Sequence, residues 1–167
     1  MLTSPHTQEA NLTNAAISEY AELVGRKNDI YADGRANIEE FVARLGGEIV
    51  FADGGESLHV RKPGNFTVFL PQFTSSSRDR FTLAHELGHY FLHYRYVGKT
   101  GEMSFGRGAR NRAETEANVF ASTLLMPADE FRAHWERHGG DTWRVAQHFG
   151  VSPAAVGIRA QVLRLTT

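Results

Sequence analysis

The stretch that decides the fold and the chemistry of this chain is RFTLAHELGHYFLH, residues 80–93. In an α-helix, the spacing of His85 and His89 leaves them about 40° apart around the axis and about 6 Å apart along it. Both imidazoles can therefore reach one metal ion at about 2.1 Å. Glu86 lies about 100° from His85 around the helix, close enough to contact a metal-bound water. We interpret His85-Glu86-x-x-His89 as a two-ligand clamp with Glu86 as the neighbouring catalytic base.

The composition narrows the choice of further ligands. The chain has 167 residues, eight histidines and no cysteine. Thiolate zinc sites, iron–sulfur clusters and a cysteine nucleophile are therefore excluded, and His, Asp or Glu must hold any metal. The positions around the two histidines are uncharged, as a buried active-site helix requires and a solvated helix would not show. They are Thr82, Leu83, Ala84, Leu87, Gly88, Tyr90 and Phe91.

A third ligand must come from farther along the chain. A catalytic zinc usually has three protein ligands and a water, but the extended form of the motif fails here, where Leu92 and Arg95 stand. A later predicted helix places Glu114 and Asn118 one turn apart on the face opposite its apolar stripe. We predict Glu114 as the ligand, with Asn118 holding a ligand imidazole from behind. Glu116 competes, but it lies about 200° from Glu114 around the helix, so only one of the two faces the metal.

The remaining histidines are harder to place. His93 continues the four-residue spacing, but it would lie about 12 Å from His85 along the helix, too far to share a tetrahedral ion. We expect His93 to support the site by packing or capping. Other side chains could stabilise a transition state, but a surface role suits each of them as well, and the sequence does not choose among them. They are His59, His134, His138, His148, Tyr94 and Tyr96.

Hydrophobic periodicity predicts an α+β protein in three parts. Residues 1–14 are expected to form a flexible N-terminal arm, residues 15–127 the domain that carries the H-E-x-x-H helix, and residues 128–167 a helical tail packed on it. Strand patterns at 48–51, 57–60 and 66–70 predict a small antiparallel sheet, and the glycine-rich stretch 98–108 a mobile loop. Helices are predicted around Ala16–Val24, over Ile38–Leu45, from a Ser76 or Ser77 cap through Phe91, and over Ala113–Leu125, Phe131–His138, Thr142–Phe149 and Pro153–Leu165.

Charge is distributed unevenly although the net charge is −1. Residues 1–60 carry ten acidic and four basic side chains, whereas residues 61–167 carry nine acidic and fourteen basic ones. This asymmetry suits either a solvated surface or an anionic partner for the later part. No apolar run reaches the roughly 18 residues of a membrane helix and no secretion signal is present, so we expect a cytoplasmic protein with no membrane partner.

The motifs together resemble the ImmA/IrrE family of zinc metallopeptidases. Besides residues 80–93, the resemblance rests on ETEANVFA (residues 114–121) and LLMP (residues 124–127), and it extends over roughly residues 35 to 165. It implies that His85, His89 and the Glu114 position hold Zn2+, for which another divalent ion such as Mn2+ could substitute, and that Glu86 is the base. It also implies a protein substrate, a helix-turn-helix transcriptional repressor whose cleavage releases stress-response or mobile-element genes.

The implied mechanism is metal-assisted peptide hydrolysis. The metal lowers the pKa of its water to around 7, and Glu86 takes the proton as the water attacks the scissile carbonyl, then passes it to the leaving amine. The predicted strand 66–70 could bind an extended substrate by strand addition, or it could be an ordinary internal strand.

Two other classes of function remain as alternatives. The tail resembles a helix-turn-helix, so a DNA-binding regulator is the second hypothesis. Its recognition helix offers only Arg159 and Gln161 for reading bases, so direct DNA binding is not expected. A non-catalytic metal-binding interaction module is the third hypothesis, but it would require the loss of Glu86 or a ligand, and none is lost.

Overall fold

The computed structural model describes residues 7–32 and 34–166, so residues 1–6 of the predicted arm lie outside it. In the described residues the chain forms seven α-helices and four β-strands, and the predicted α+β class is confirmed. The helices are α1 (Asn14–Lys27), α2 (Ile38–Arg44), α3 (Ser76–Tyr90), α4 (Arg112–Leu125), α5 (Ala128–Arg137), α6 (Thr142–Phe149) and α7 (Pro153–Val162). The strands are β1 (Gly47–Phe51), β2 (Glu56–Lys62), β3 (Asn65–Leu70) and β4 (Met103–Gly106). No described helix is both long and apolar enough to cross a membrane.

The sheet is mixed, where the sequence suggested a wholly antiparallel one. Its order is β1-β3-β2-β4, with β2 antiparallel to β3 and β4, and β1 parallel to β3. Periodicity identifies strands but not their neighbours, and here β3 inserts between β1 and β2. Because β3 is paired on both sides, it cannot accept a substrate strand, and strand addition at residues 66–70 is excluded.

Strand β4 lies inside the segment predicted to be a mobile loop. It is short, ends at Gly106 and has Gly101 two residues before it, so its own sequence carries little strand signal. Pairing with β2 provides its backbone hydrogen bonds, with Phe105 opposite Leu58. A register shift between Glu56 and Leu58 makes an irregularity at Ser57. Within the described residues, β4 is one edge of the sheet.

Helix α3 packs closely against α4. The N-cap of α3 is Ser75, whose hydroxyl accepts a hydrogen bond from the backbone N–H of Arg78. It lies one residue before Ser76, the first of the two predicted caps. Gly88 faces Ala117, and a Cβ built on Gly88 would lie 3.0 Å from the Cα and the carbonyl oxygen of Ala117. Such small residues allow two helix backbones to approach. A π-helical turn, Phe91–Arg95, continues α3 and carries His93.

The described part of the predicted arm contacts α4. Ala10 is buried, and its backbone N–H and that of Asn11 donate to the carboxylate of Glu116 at 3.0 and 3.1 Å. Arg112 donates to the carbonyl of Leu12 at 2.8 Å. Residues 7–13, called the N-terminal segment below, are therefore held by side chains of α4. Sequence polarity predicted a loose arm because backbone amides that donate to a distant carboxylate leave no local pattern.

The helical tail contacts α3 through a buried arginine. Arg80 donates to the carbonyls of Phe149 and Gly150 at 3.0 and 3.1 Å, and to that of Ala36 at 2.8 Å. The first two carbonyls lie at the C-terminal end of α6, where a cation satisfies unpaired acceptors and the helix dipole. Two tail helices differ from their predicted limits: α5 begins at Ala128 and α7 ends at Val162.

Candidate metal centre and active site

Two adjacent helices bring His85, His89 and Glu114 together. The Nε2 atom of His85 lies 3.2 Å from Oε1 of Glu114, and Nε2 of His89 lies 2.8 Å from Oε2. One ligand atom from each of the three residues lies within 4.8 Å of the other two. The His89 side chain is 1% exposed, while those of His85 and Glu114 are 15% and 20% exposed. The cluster is therefore largely buried, with His85 and Glu114 partly accessible to solvent.

The second ring nitrogen of each histidine has its own partner. Nδ1 of His85 lies 2.8 Å from Oδ1 of Asn118, and Nδ1 of His89 lies 2.9 Å from Nδ1 of His93. Hydrogen bonds at Nδ1 fix ring orientation and leave Nε2 facing the cluster. The structure thus places Asn118 and His93 directly behind the two histidines, where the sequence expected supporting residues.

Glu116 points away from this cluster. It is fully buried and lies 2.8 Å from Nε2 of His93 through Oε1. Of the two carboxylates weighed on α4, the structure brings Glu114 and not Glu116 to His85 and His89. The helical angle between the two carboxylates is the physical reason.

Glu86 is buried beside the cluster and contacts β2. The hydroxyl of Ser57 lies 3.2 Å from Oε1 of Glu86 and 3.1 Å from the carbonyl oxygen of Phe105, so one proton serves both acceptors. The Phe105 ring stacks on His89 at a centroid distance of 5.0 Å. Sequence reasoning missed Ser57 and Phe105, since one sits at a strand irregularity and the other in the segment expected to be a loop.

The pKa shifts of Glu114 and His85 favour an ionised carboxylate with a positive charge beside it. Burial raises the pKa of Glu114, but hydrogen bonds from His85 and His89 outweigh burial and lower it to about 2. Burial lowers the pKa of His85, but the hydrogen bond to Glu114 and the charge of Glu86 outweigh it and raise the pKa above its usual value. A carboxylate held ionised among imidazole nitrogens is a preformed site for a cation.

The group behind the cluster has a different electrostatic character. Burial and the neighbouring His89 lower the pKa of His93 to about 4, so this ring is neutral at neutral pH. Burial raises the pKa of Glu116, but the backbone N–H of Ala10 and the ring of His93 outweigh burial and lower it. A neutral imidazole therefore contacts an ionised carboxylate.

The donor set fits a divalent metal ion. Two imidazole nitrogens and one carboxylate are a typical set of three protein ligands at a catalytic zinc, with the fourth position left for water. Tetrahedral ligands at about 2.1 Å are about 3.4 Å apart, close to the spacing found here. His85, His89 and Glu114 would hold such an ion, and Glu86 lies next to His85 in the same helix.

The other candidate side chains make contacts elsewhere. Tyr94 donates to the carbonyl of Gly101 at 2.8 Å, and His59 lies between Glu56 and Glu102 on the sheet. None of the six candidates hydrogen-bonds to the three clustered residues or to Glu86 in the described parts of the chain. The other four are His134, His138 and His148, which stack near α5 and α6, and Tyr96, which is half exposed.

Fold and site together define a class. An α+β domain with an H-E-x-x-H helix, and with a carboxylate from a second helix completing the ligand set, is typical of metallopeptidases. A family model, described as peptidase M78, IrrE N-terminal-like domain, matches residues 43–161. The chain belongs to this family, and the resemblance seen in its motifs is confirmed. A search of curated proteins found no match.

Proposed function

We propose that this protein is a zinc-dependent endopeptidase, with His85, His89 and Glu114 as metal ligands and Glu86 as catalytic base. One observation carries the proposal: two imidazole nitrogens and a carboxylate converge from two helices next to a buried glutamate. Membership of a peptidase family supports it. Mn2+ would suit the same ligands, so the ion in use is part of the proposal.

The residues divide the reaction between them. A bound zinc ion would lower the pKa of a coordinated water to about 7 and polarise the peptide carbonyl. Glu86 accepts the proton of the attacking water and returns it to the leaving amine. Ser57 donates to Glu86 and holds its carboxylate in place. Asn118 keeps Nε2 of His85 directed at the cluster.

An extended substrate segment would bind along β4. This edge strand has no strand on its outer side in the described residues, and its Phe105 contacts the ligand His89. An added strand would form backbone hydrogen bonds to β4 while its scissile bond lies over the cluster. In this proposal β4, and not the strand at residues 66–70, binds the substrate by strand addition.

The proposed substrate is a helix-turn-helix transcriptional repressor, which would be met in the cytoplasm. Support comes from the family resemblance. The test is to incubate zinc-loaded protein with the repressor encoded beside its gene, comparing wild type with Glu86→Gln. We expect cleavage by the wild type only, with equal zinc content in both. If neither protein cleaves any neighbouring repressor while zinc is bound, the substrate proposal fails. Casein then tests peptidase activity itself.

Direct DNA binding is the weaker alternative. Arg159 is buried, and its Nε donates to the carbonyl of Met126 at 3.0 Å. It is therefore not free to read a base, which leaves Gln161 alone among the two side chains considered. Titration with the promoter next to the gene should show binding no tighter than to random duplex.

A further inference from the structure

Glu116 is a buried carboxylate that peptide hydrolysis does not use directly. It is fully buried and accepts hydrogen bonds from the backbone N–H groups of Ala10 and Asn11 and from Nε2 of His93. Nε of Arg112 lies 3.6 Å from its second oxygen. A buried charge is tolerated only when it is paired and hydrogen-bonded, and here four groups from three parts of the chain provide this. Such a set of partners indicates that this carboxylate has a specific function.

The partners of Glu116 set the direction of two hydrogen bonds. Both oxygens of this carboxylate accept backbone N–H groups, and Oε1 also accepts from Nε2 of His93 at 2.8 Å. With its proton on Nε2, His93 presents Nδ1 as an acceptor for the Nδ1 proton of His89 across 2.9 Å. This arrangement leaves Nε2 of His89, the atom 2.8 Å from Glu114, to bind the metal.

The opposite arrangement would block metal binding. If Nδ1 of His93 carried the proton, it would donate to Nδ1 of His89 and leave the His89 proton on Nε2. A protonated nitrogen has no lone pair for a metal. The tautomer of His89 is thus decided two hydrogen bonds away from the cluster. The other ligand histidine reaches the same result through one neutral amide, Asn118.

We propose that Glu116 and the backbone amides of the N-terminal segment act as positioning groups for the metal ligand His89, with His93 as the link. Docking of residues 10–11 is then part of the metal site, because their N–H groups hold the Glu116 carboxylate in place against His93. The inference rests on the metal centre of the proposed function but not on its peptidase activity. A purely structural Glu116 would anchor the segment without affecting His89.

Zinc affinity, measured by competition with a chromophoric chelator, tests this link. Glu116→Gln turns one acceptor atom into a donor that must face a backbone or ring N–H, so zinc affinity should fall about 10–100-fold. Ala10→Pro removes one N–H donor to Glu116 and should weaken zinc several-fold. Gln8→Pro is the matched control, because Gln8 lies in the same segment but is exposed. Its zinc affinity should equal that of the wild type.

Ring 15N chemical shifts report the direction of these two hydrogen bonds independently of protein stability. In the zinc-loaded wild type we expect the proton of His89 on Nδ1 and that of His93 on Nε2. The opposite tautomer at either ring overturns the proposal, even if Glu116→Gln fails to fold. A folded Glu116→Gln protein with wild-type zinc affinity overturns it equally. If the wild type binds no zinc, both the proposed metal centre and this inference fail, whereas a protein that binds zinc but cleaves no peptide refutes only the proposed peptidase activity.

Discussion

Replacing Gly88 by alanine should push apart the two helices that carry the proposed metal ligands. The new Cβ would lie 3.0 Å from the Cα and the carbonyl oxygen of Ala117, and 3.3 Å from its Cβ. Favourable contacts begin near about 3.5 Å, so α3 and α4 must separate by about 0.5 Å. Two of the three crowding atoms are backbone, so no side chain can relieve the clash. Metal sites tolerate ligand displacements of about 0.2 Å, so Glu114 would be misplaced relative to His89.

The expected magnitude follows from two opposing effects. Alanine in place of glycine inside a helix stabilises by about 0.5–1 kcal/mol, while overpacking costs about 1–3 kcal/mol. We therefore expect Gly88→Ala to lose about 1 kcal/mol in urea unfolding and at least about tenfold in zinc affinity. The matched control is Gly157→Ala in α7, where the new Cβ meets nothing within 4 Å. It should gain stability and bind zinc normally. If Gly88→Ala is as stable as Gly157→Ala and keeps wild-type zinc affinity, the reasoning is refuted.

Three further predictions concern neighbouring features. Ser57→Ala removes the hydroxyl that donates to Glu86, so kcat should fall about tenfold while KM and zinc affinity stay unchanged; an equal loss of zinc affinity would contradict this role. Arg80→Met leaves three backbone carbonyls without their donor and should cost about 3–5 kcal/mol in urea unfolding, whereas the exposed Arg78→Met should change stability by less than about 0.5 kcal/mol. Burial and nearby histidine and arginine charges lower the pKa of His148 below its usual value, so the unfolded chain binds more protons than the folded one below pH about 6.5. The stability that the packed, neutral His148 provides is thus complete above that pH and is lost as the pH falls. His148→Gln should flatten the dependence of the unfolding free energy on pH below about 6.5, and an unchanged slope would contradict this role of His148.

The parts of the site that lie on helices were predictable from the sequence. The spacing of His85 and His89 and that of Glu114 and Asn118 are local, because 3.6 residues per turn determine which side chains share a face. The same argument separated Glu114 from Glu116, and the structure brings the first to the cluster. The helices and the α+β class followed from periodicity for the same reason.

The missed features depend on contacts between distant parts of the chain. The pairing of β4 with β2 creates both an edge strand and the position of Phe105, and neither has a signature within its own few residues. Ser57 reaches Glu86 only because the strand register shifts beside it. The parallel pairing of β1 and β3 depends on which strand inserts where, which alternation of apolar residues does not encode.

The contact between the N-terminal segment and Glu116 also bears on how the protein folds. It joins positions 106 residues apart, and closing such a loop is slow compared with forming helices. We therefore expect α3 and α4 to pack before the proposed metal site reaches its final geometry, so that the ability to bind metal appears late in refolding. A fragment starting at residue 43, where the family match begins, would lack the two amides. Its α4 would carry a buried negative charge with fewer partners, which should favour aggregation over the native state.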